Sequence, residues 1–159
     1  MANRLSHQQL DAWQRLQTVT ERLRRHVGRD LRGDAGLSEA EFTVLAHLVE
    51  YGGTARPSEC AASIGWDSSR LAHQLRRLES RGLITRSPSP GTDGRGSIIA
   101  LTAPGKAAHS DAVGPHLRAA ATWFGAALTP TELDHLGTAL TAIAAHIDLL
   151  ESDSTEEKE

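Results

Sequence analysis

One segment near the middle of the chain constrains the fold more than any other. Pro57 stands where the first turn of a helix tolerates proline, so Ser58–Ile64 is predicted to be a short helix that Gly65 ends. Asp67 is a natural N-cap for the next helix, which is predicted to run to about Arg81. A short helix, a glycine-containing turn and a well-capped helix are together typical of a helix-turn-helix.

A β-hairpin is predicted after this pair of helices. Residues 83–86 and 97–101 have the composition of strands, and residues 87–96 between them form a Pro/Gly/Ser/Asp loop. A helix-turn-helix followed by a hairpin is a winged helix. Alanine and leucine supply most of the apolar residues and aromatic residues are only 4%, which favours helices packed on helices elsewhere. The predicted fold class is therefore mostly α with a small β-wing.

Helices are also predicted on the N-terminal side of this winged helix. Apolar residues recur at three- and four-residue spacing from Leu10, which predicts a long amphipathic helix that ends near Gly33. Ser38 and Glu41 form a capping-box pattern, so a second helix is expected over residues 39–50.

Two further helices are predicted on its C-terminal side. The first begins at about residue 103, and Gly114–Pro115 is expected to kink it because proline removes a backbone donor. Thr129 caps the second, whose apolar residues alternate three and four apart, the narrow seam of a helix that packs against another helix, within the chain or from a second copy. A disordered acidic tail is expected over residues 151–159. The seam consists of Leu133, Leu136, Leu140, Ile143, Ile147 and Leu150.

Composition excludes several classes of protein. No run of about 18 apolar residues and no apolar signal core appear, so a cytoplasmic protein without a membrane partner is expected. Cys60 is the single cysteine, so the chain forms no internal disulfide and has no CxxC motif. No HExxH motif and no histidine pair at i, i+4 occurs, so neither a metal nor another cofactor is expected. No catalytic residue is expected either, because nothing resembles a nucleophile in a prepared turn.

Positive charge is concentrated in the predicted winged helix, although the net charge of the chain is -3. Residues 56–102 carry seven arginines against four acidic residues, whereas residues 103–159 carry a charge of -6. A local basic surface can bind a polyanion, although a solvated helix face gives the same pattern.

The second helix of the motif has the composition of a DNA-recognition helix. Leu71, Leu75 and Leu78 fall on one stripe that must face the core. Serine, arginine, histidine and glutamine cover the remainder without an acid between Asp67 and Glu79, and such side chains bind base edges and phosphates. The loop arginine Arg95 has the length to enter a minor groove, although a solvated loop arginine is the alternative. The candidate DNA-binding residues are Ser58, Ser68, Ser69, Arg70, His73, Gln74, Arg76, Arg77, Arg86, Asp93 (as the ion-pair partner of Arg95) and Arg95.

Three sequence runs resemble the MarR family of bacterial transcription regulators: Ser69–Ile84 (SRLAHQLRRLESRGLI), the Asp93–Arg95 wing tip and the Leu101–Gly105 exit. The resemblance extends over about residues 5–150. It implies an obligate homodimer with a helical dimerisation region (residues 1–35 and 103–150) and a winged helix-turn-helix domain (residues 36–102). It further implies sequence-specific binding to a pseudo-palindromic double-stranded operator, usually as a repressor.

The resemblance also implies a small-molecule effector, often aromatic or anionic, bound between the dimerisation helices and the winged helix. The candidate lining residues are Trp13, His116, Arg118 and Trp123. Two alternative functions stay open. One is redox sensing through Cys60, although the peroxide-sensing members of the family have their reactive cysteine in the first helix. The other is a winged helix that acts as a protein-protein adaptor.

Overall fold

A computed structural model describes residues 4–88 and 96–156, and it confirms a mostly helical fold with a small wing. The strands form one antiparallel sheet in the order β1-β3-β2. In chain order the elements are α1 (His7–Ala35), α2 (Glu39–Glu50), β1 (Thr54–Ala55), α3 (Pro57–Ser63), α4 (Ser68–Ser80), β2 (Ile84–Pro88), β3 (Ser97–Leu101), α5 (Ala103–Trp123), a 3-10 turn (Gly125–Ala127) and α6 (Pro130–Glu156).

The junction between α1 and α2 is fixed by backbone caps at both helix ends. Helix α1 continues through Gly33 and ends at Ala35, because Gly36 adopts a left-handed conformation (φ 67°) and its N–H donates to the Arg32 carbonyl. The expected end near Gly33 was therefore wrong by two residues. The predicted capping box of α2 is confirmed: the Ser38 Oγ accepts from the Glu41 N–H (3.1 Å) and a Glu41 carboxylate oxygen accepts from the Ser38 N–H (2.9 Å).

The wing was predicted as two strands, and the sheet has a third. Strands β2 and β3 pair with Arg86 opposite Ile99, and the short strand β1 pairs with the other edge of β3. After β3 the backbone at Gly105 lies very close to Leu83, in the turn between α4 and β2. A Cβ on Gly105 would overlap the Leu83 carbonyl oxygen. Glycine is therefore required where α5 begins, and α5 itself continues through Pro115 without dividing.

The chain forms two compact units, residues 1–120 and residues 121–159. The first unit holds the hydrophobic core, in which the C-terminal end of α1, α2, α3, α4, the sheet and α5 meet. The predicted stripe of α4 lies in this core. The fully buried large side chains are Leu31, Leu37, Leu45, Leu48, Leu71, Leu75, Leu78, Ile84 and Ile99, together with Val44, Cys60 and Glu41.

The second unit consists of the end of α5, the 3-10 turn and α6. Thr129 and Glu132 cap α6 reciprocally, as predicted, with the Thr129 N–H donating to the Glu132 carboxylate at 2.8 Å. Helix α6 continues to Glu156, so residues 151–156 are helical, which corrects the expected start of the disordered tail. Adding residues to an existing helix costs little, and Ser152 bonds back to the Asp148 carbonyl at 2.8 Å. Residues 157–159 lie outside the described residues.

Candidate nucleic-acid interface

The buried leucines of α4 fix which side of that helix faces solvent. Leu71, Leu75 and Leu78 are at most 1% exposed, so the opposite side is turned outward. Asp67 caps the helix, with its carboxylate accepting from the Arg70 N–H at 2.8 Å. The predicted contact residues on this outward side are exposed, and they form the α4 face: Ser68, Ser69, Arg70, His73 and Arg76.

Arg70 is held at the start of this face by an aromatic ring. Its guanidinium carbon lies 4.1 Å from the centre of the half-buried Trp66 ring, in the geometry of a cation-π contact. Trp66 stands in the turn between α3 and α4 and packs against the core. The contact restricts the Arg70 guanidinium, and a guanidinium held in place suits bidentate binding to guanine.

Arg77 has a protein partner that the sequence did not predict. Glu41, in the first turn of α2, is only 1% exposed, and its two carboxylate oxygens lie 3.6 Å from the Arg77 Nε and 3.0 Å from the Arg81 Nη1. Arg81 also donates to the Gly36 carbonyl at 3.1 Å. The C-terminal half of α4 is thus tied to the junction between α1 and α2.

The ionisation of Glu41 follows from the same contacts. Burial, the largest single influence, acts to raise its pKa, but hydrogen bonds from Ser38 and Arg81 together with the Arg81 charge outweigh it. The pKa of Glu41 is therefore below its ordinary value, and the carboxylate is charged at neutral pH.

Gln74 and Arg86 are less available than the α4 face. Both are half-buried, and the Gln74 Oε1 and the Arg86 Nε and Nη2 are buried atoms without a hydrogen-bond partner within the described residues. The Arg86 Nε lies 3.4 Å from a Glu79 carboxylate oxygen, which is an ion pair rather than a hydrogen bond. Ser58 is exposed in the first turn of α3. Asp93 and Arg95 lie outside the described residues.

Of the three candidate effector residues in the first unit, His116 lines a cleft that includes neither Trp13 nor Arg118. His116 stacks on Phe42 with ring centres 4.4 Å apart, and both line an open cleft of about 310 Å³ between α2 and α5. Trp13 is 50% exposed on α1, and Arg118 is exposed and lies 3.9 Å from Asp34. Trp123 is half-buried and belongs to the second unit.

A second basic surface was missed in the sequence. A cleft of about 430 Å³ lies between α1 and the start of α2, and four arginines of α1 line it. Burial raises the pKa of Glu39 in this cleft, although the charge of Arg24 opposes that shift. The signal was a cluster of arginines late in α1, hidden because residues 1–55 have no net charge. The four residues are Arg24, Arg25, Arg29 and Arg32.

The remaining sequence hypotheses concern a thiol, a metal and a membrane. Cys60 is completely buried, and burial raises the pKa of its thiol to about 11. Across residues 4–88 and 96–156, no three histidine, cysteine or acidic side chains are grouped as they would be around a metal ion. In the same part of the chain no helix is long and apolar enough to cross a membrane.

Comparisons with known proteins agree with this geometry. Residues 37–96 match the model of the MarR family, and no curated protein matches the chain. The solved structure of AbsC, a MarR family transcriptional regulator from Streptomyces coelicolor, is similar at 28% identity with a TM-score of 0.78. The similarity covers 92% of this chain and 99% of AbsC.

Two other solved structures are also similar over most of their length. Sco3205, a MarR family transcriptional regulator from Streptomyces coelicolor in complex with DNA, has 27% identity and a TM-score of 0.79, over 91% of this chain and 94% of that chain. The organohalide-sensing regulator RdhR-CbdbA1625 in its 2,4-dichlorophenol bound form has 23% identity and a TM-score of 0.79, over 89% of this chain and 82% of that chain. At 23% identity the second likeness concerns the fold alone.

Proposed function

Residues 37–96 form a MarR-family domain, and from that premise we propose that the protein is a transcription regulator that binds double-stranded DNA sequence-specifically. The observation that carries the proposal is the α4 face. It presents serine, arginine and histidine side chains to solvent on a helix that buried leucines hold firmly, and no acidic residue interrupts it. Such a helix has the side chains and the rigidity that direct readout in a major groove requires.

We assign three kinds of DNA contact to the candidate residues: base edges, the phosphate backbone and the minor groove. Arg70 and His73 are assigned to base edges, Gln74 to the margin of the surface, and Arg76 to a base or a phosphate. Ser58, Ser68, Ser69 and Arg86 are assigned to the phosphate backbone. Arg95, oriented by Asp93, is assigned to the minor groove beside it.

Dimerisation is proposed from apolar surface that the single chain leaves exposed. On α6 the seam residues Leu140, Ile143 and Ile147 are each 48% exposed, and on α1 Trp13 and Val19 are each 50% exposed. Large apolar side chains in a row at helical spacing indicate a protein interface. A two-fold dimer through residues 1–35 and 103–150 would present two α4 helices to successive major grooves about 34 Å apart, which matches a pseudo-palindromic operator.

Regulation by a small molecule is proposed from the two clefts. The cleft lined by Phe42 and His116 has aromatic side chains in its wall, and the arginine-lined cleft offers charge for an anion. The 2,4-dichlorophenol bound form of RdhR-CbdbA1625 is a precedent for an aromatic ligand on this fold. An effector that prefers a dimer with the wrong separation of α4 helices would release a repressor from its operator.

The two alternative functions have less support. A reactive thiol must form a thiolate, whereas Cys60 is completely buried with a pKa of about 11, so it stays protonated at neutral pH. A protein-protein adaptor would be expected to expose an apolar or acidic surface on α4, and the α4 face is neither.

The proposal is tested by titration of the protein against its own upstream intergenic DNA and against a scrambled duplex of equal length. Measurements at two salt concentrations separate phosphate contacts from base contacts. We expect binding to the native fragment to be tighter by roughly 10³-fold or more. Equal, weak binding to both duplexes and to genomic fragments selected at random would contradict sequence-specific regulation.

A further inference from the structure

Glu41 is the most deeply buried charged side chain in the described part of the chain, and the fold surrounds it with cationic groups. It is 1% exposed and reaches Arg77 at 3.6 Å and Arg81 at 3.0 Å. Capping α2 does not require a charge at this position, because glutamine also completes a capping box. The carboxylate therefore has a second role besides capping.

The contacts of the two oxygens of Glu41 differ. The Oε2 accepts from the Ser38 N–H at 2.9 Å and lies 3.0 Å from the Arg81 Nη1. Within the described residues the Oε1 has no hydrogen-bond partner, and the Arg77 Nε lies 3.6 Å from it. A buried carboxylate oxygen without a hydrogen bond is costly unless a cation compensates it. Arg77 thus has an acidic partner within the protein, although half of its side chain remains exposed.

We propose that Glu41 is a positioning residue that retains Arg77 and Arg81 on the protein, so that Arg70 and Arg76 carry the DNA-binding charge of α4. This inference rests on the proposed function, and it reassigns Arg77, which the sequence alone placed among the DNA contacts. Neighbouring arginines on one helix thereby have different tasks. Arg76 is exposed and forms no ion pair within the described residues, whereas Arg77 lies 3.6 Å from a buried carboxylate oxygen. Retaining Arg77 limits sequence-independent attraction to phosphates and so favours specificity.

The test compares the salt dependence of duplex binding in matched variants of the full-length protein. Each phosphate-bound arginine contributes about 1 to the slope of log K against log salt. Arg76→Ala is therefore expected to lower the slope by about 1, whereas Arg77→Ala is expected to leave it unchanged. Glu41→Gln keeps the capping box but releases Arg77, whereas Arg81 keeps its hydrogen bond to the Gly36 carbonyl. The variant should therefore raise the slope by about 1 and tighten binding to scrambled DNA. Adding Arg77→Ala to Glu41→Gln should restore the wild-type slope.

A merely structural role for Glu41 would weaken binding to all duplexes alike, without a steeper slope, and would overturn the inference. A drop in slope for Arg77→Ala equal to that for Arg76→Ala would also overturn it. Both results are distinct from failure of the proposed function, in which the wild-type protein does not prefer its native fragment.

Melting temperatures test the same inference without DNA, and they keep it testable should Glu41→Gln bind poorly. Arg77→Ala is expected to lower the melting temperature in the wild-type background, because it leaves the buried Oε1 uncompensated. It should have little effect in the Glu41→Gln background, since the charge is then absent. Equal losses in both backgrounds would contradict the pairing.

Discussion

Helices α4 and α6 both carry apolar residues at helical spacing, but only α4 buries them. Leu71, Leu75 and Leu78 of α4 are at most 1% exposed, whereas Ile143 and Ile147 of α6 are each 48% exposed. The pattern of α4 is satisfied inside one chain, and its polar side is left for a ligand. The apolar residues of α6 stay exposed in the single chain, which supports the proposed interface with a second copy.

This difference separates two kinds of surface in one molecule. The α4 face is polar and contains no acidic residue, and buried leucines on the opposite side hold the helix in place. A helix that binds DNA is expected to have these properties. The α6 seam is apolar and exposed, as expected of a helix that binds another copy of the chain. Substitutions in the α6 seam should therefore weaken assembly, whereas substitutions on the α4 face should weaken DNA binding and leave assembly unchanged.

The largest effect is expected from charges placed in the α6 seam. The double substitution Ile143→Glu and Ile147→Glu should weaken dimerisation roughly 100-fold or more, because each carboxylate would be buried unpaired in the interface. Sedimentation velocity measures the change directly. Ala145→Glu, exposed on the other side of α6, is the matched control and should remain dimeric. If the wild-type protein is monomeric at tens of micromolar, the proposal that the α6 seam forms a dimer interface is contradicted.

Shortening a buried leucine of α4 should cost stability, whereas shortening its polar neighbour should not. Leu75→Ala is expected to lower the free energy of unfolding by about 2–5 kcal/mol, because it removes packed methyl groups from the core. His73→Ala, on the exposed face, is expected to change it by roughly 0.5 kcal/mol or less. Urea denaturation at a fixed protein concentration compares the two variants, and similar losses of stability would show that His73 is packed against the protein and not exposed.

Arg70→Ala should weaken operator binding by about 1–3 kcal/mol, the cost of losing a bidentate contact to a base. Arg70→Lys keeps the charge but lacks the planar guanidinium that forms two hydrogen bonds to a base. It should therefore weaken binding to the native fragment nearly as much as Arg70→Ala does. Fluorescence anisotropy with native and scrambled duplexes separates the two cases. Full retention of specificity by Arg70→Lys would identify Arg70 as a phosphate contact only.

The smallest effect is expected from the pH dependence of the Glu41 cluster. Since the folded-state pKa of Glu41 is below its ordinary value of 4.5, its stabilising contribution is present above pH 4.5 and is lost as the pH falls through the folded pKa. The stability of Glu41→Gln should therefore fall less steeply than that of the wild type on acidification below pH 4.5. Parallel curves would show that Glu41 titrates alike in both states.

Local signals were sufficient to predict much of the fold. The start of α2 follows from Ser38 and Glu41, and the side of α4 that is buried follows from the spacing of three leucines. Strand β1 was missed because Thr54–Ala55 is too short to show a period, and it exists through pairing with the distant β3. The predicted end of α1 was too early because both Gly33 and Gly36 can end a helix. Only Gly36 adopts the left-handed conformation that caps α1.

The candidate site was harder to predict, because side-chain partners are set by tertiary contacts. The sequence places Arg76 and Arg77 side by side with equal charge, and only the approach of α2 to α4 brings Glu41 to Arg77. Likewise, the ring of Trp66 beneath Arg70 depends on the geometry of the turn before α4. Composition predicted a basic surface but not which arginines are available to DNA.

Selection of bound sequences from a random duplex library tests the central claim most directly, because it requires both a sequence-specific α4 face and a two-fold dimer. The account predicts enrichment of inverted half-sites with centres about 10 base pairs apart, and loss of that enrichment with Arg70→Ala. Absence of any enriched motif, or a single unrepeated half-site bound by the wild-type protein, would contradict it.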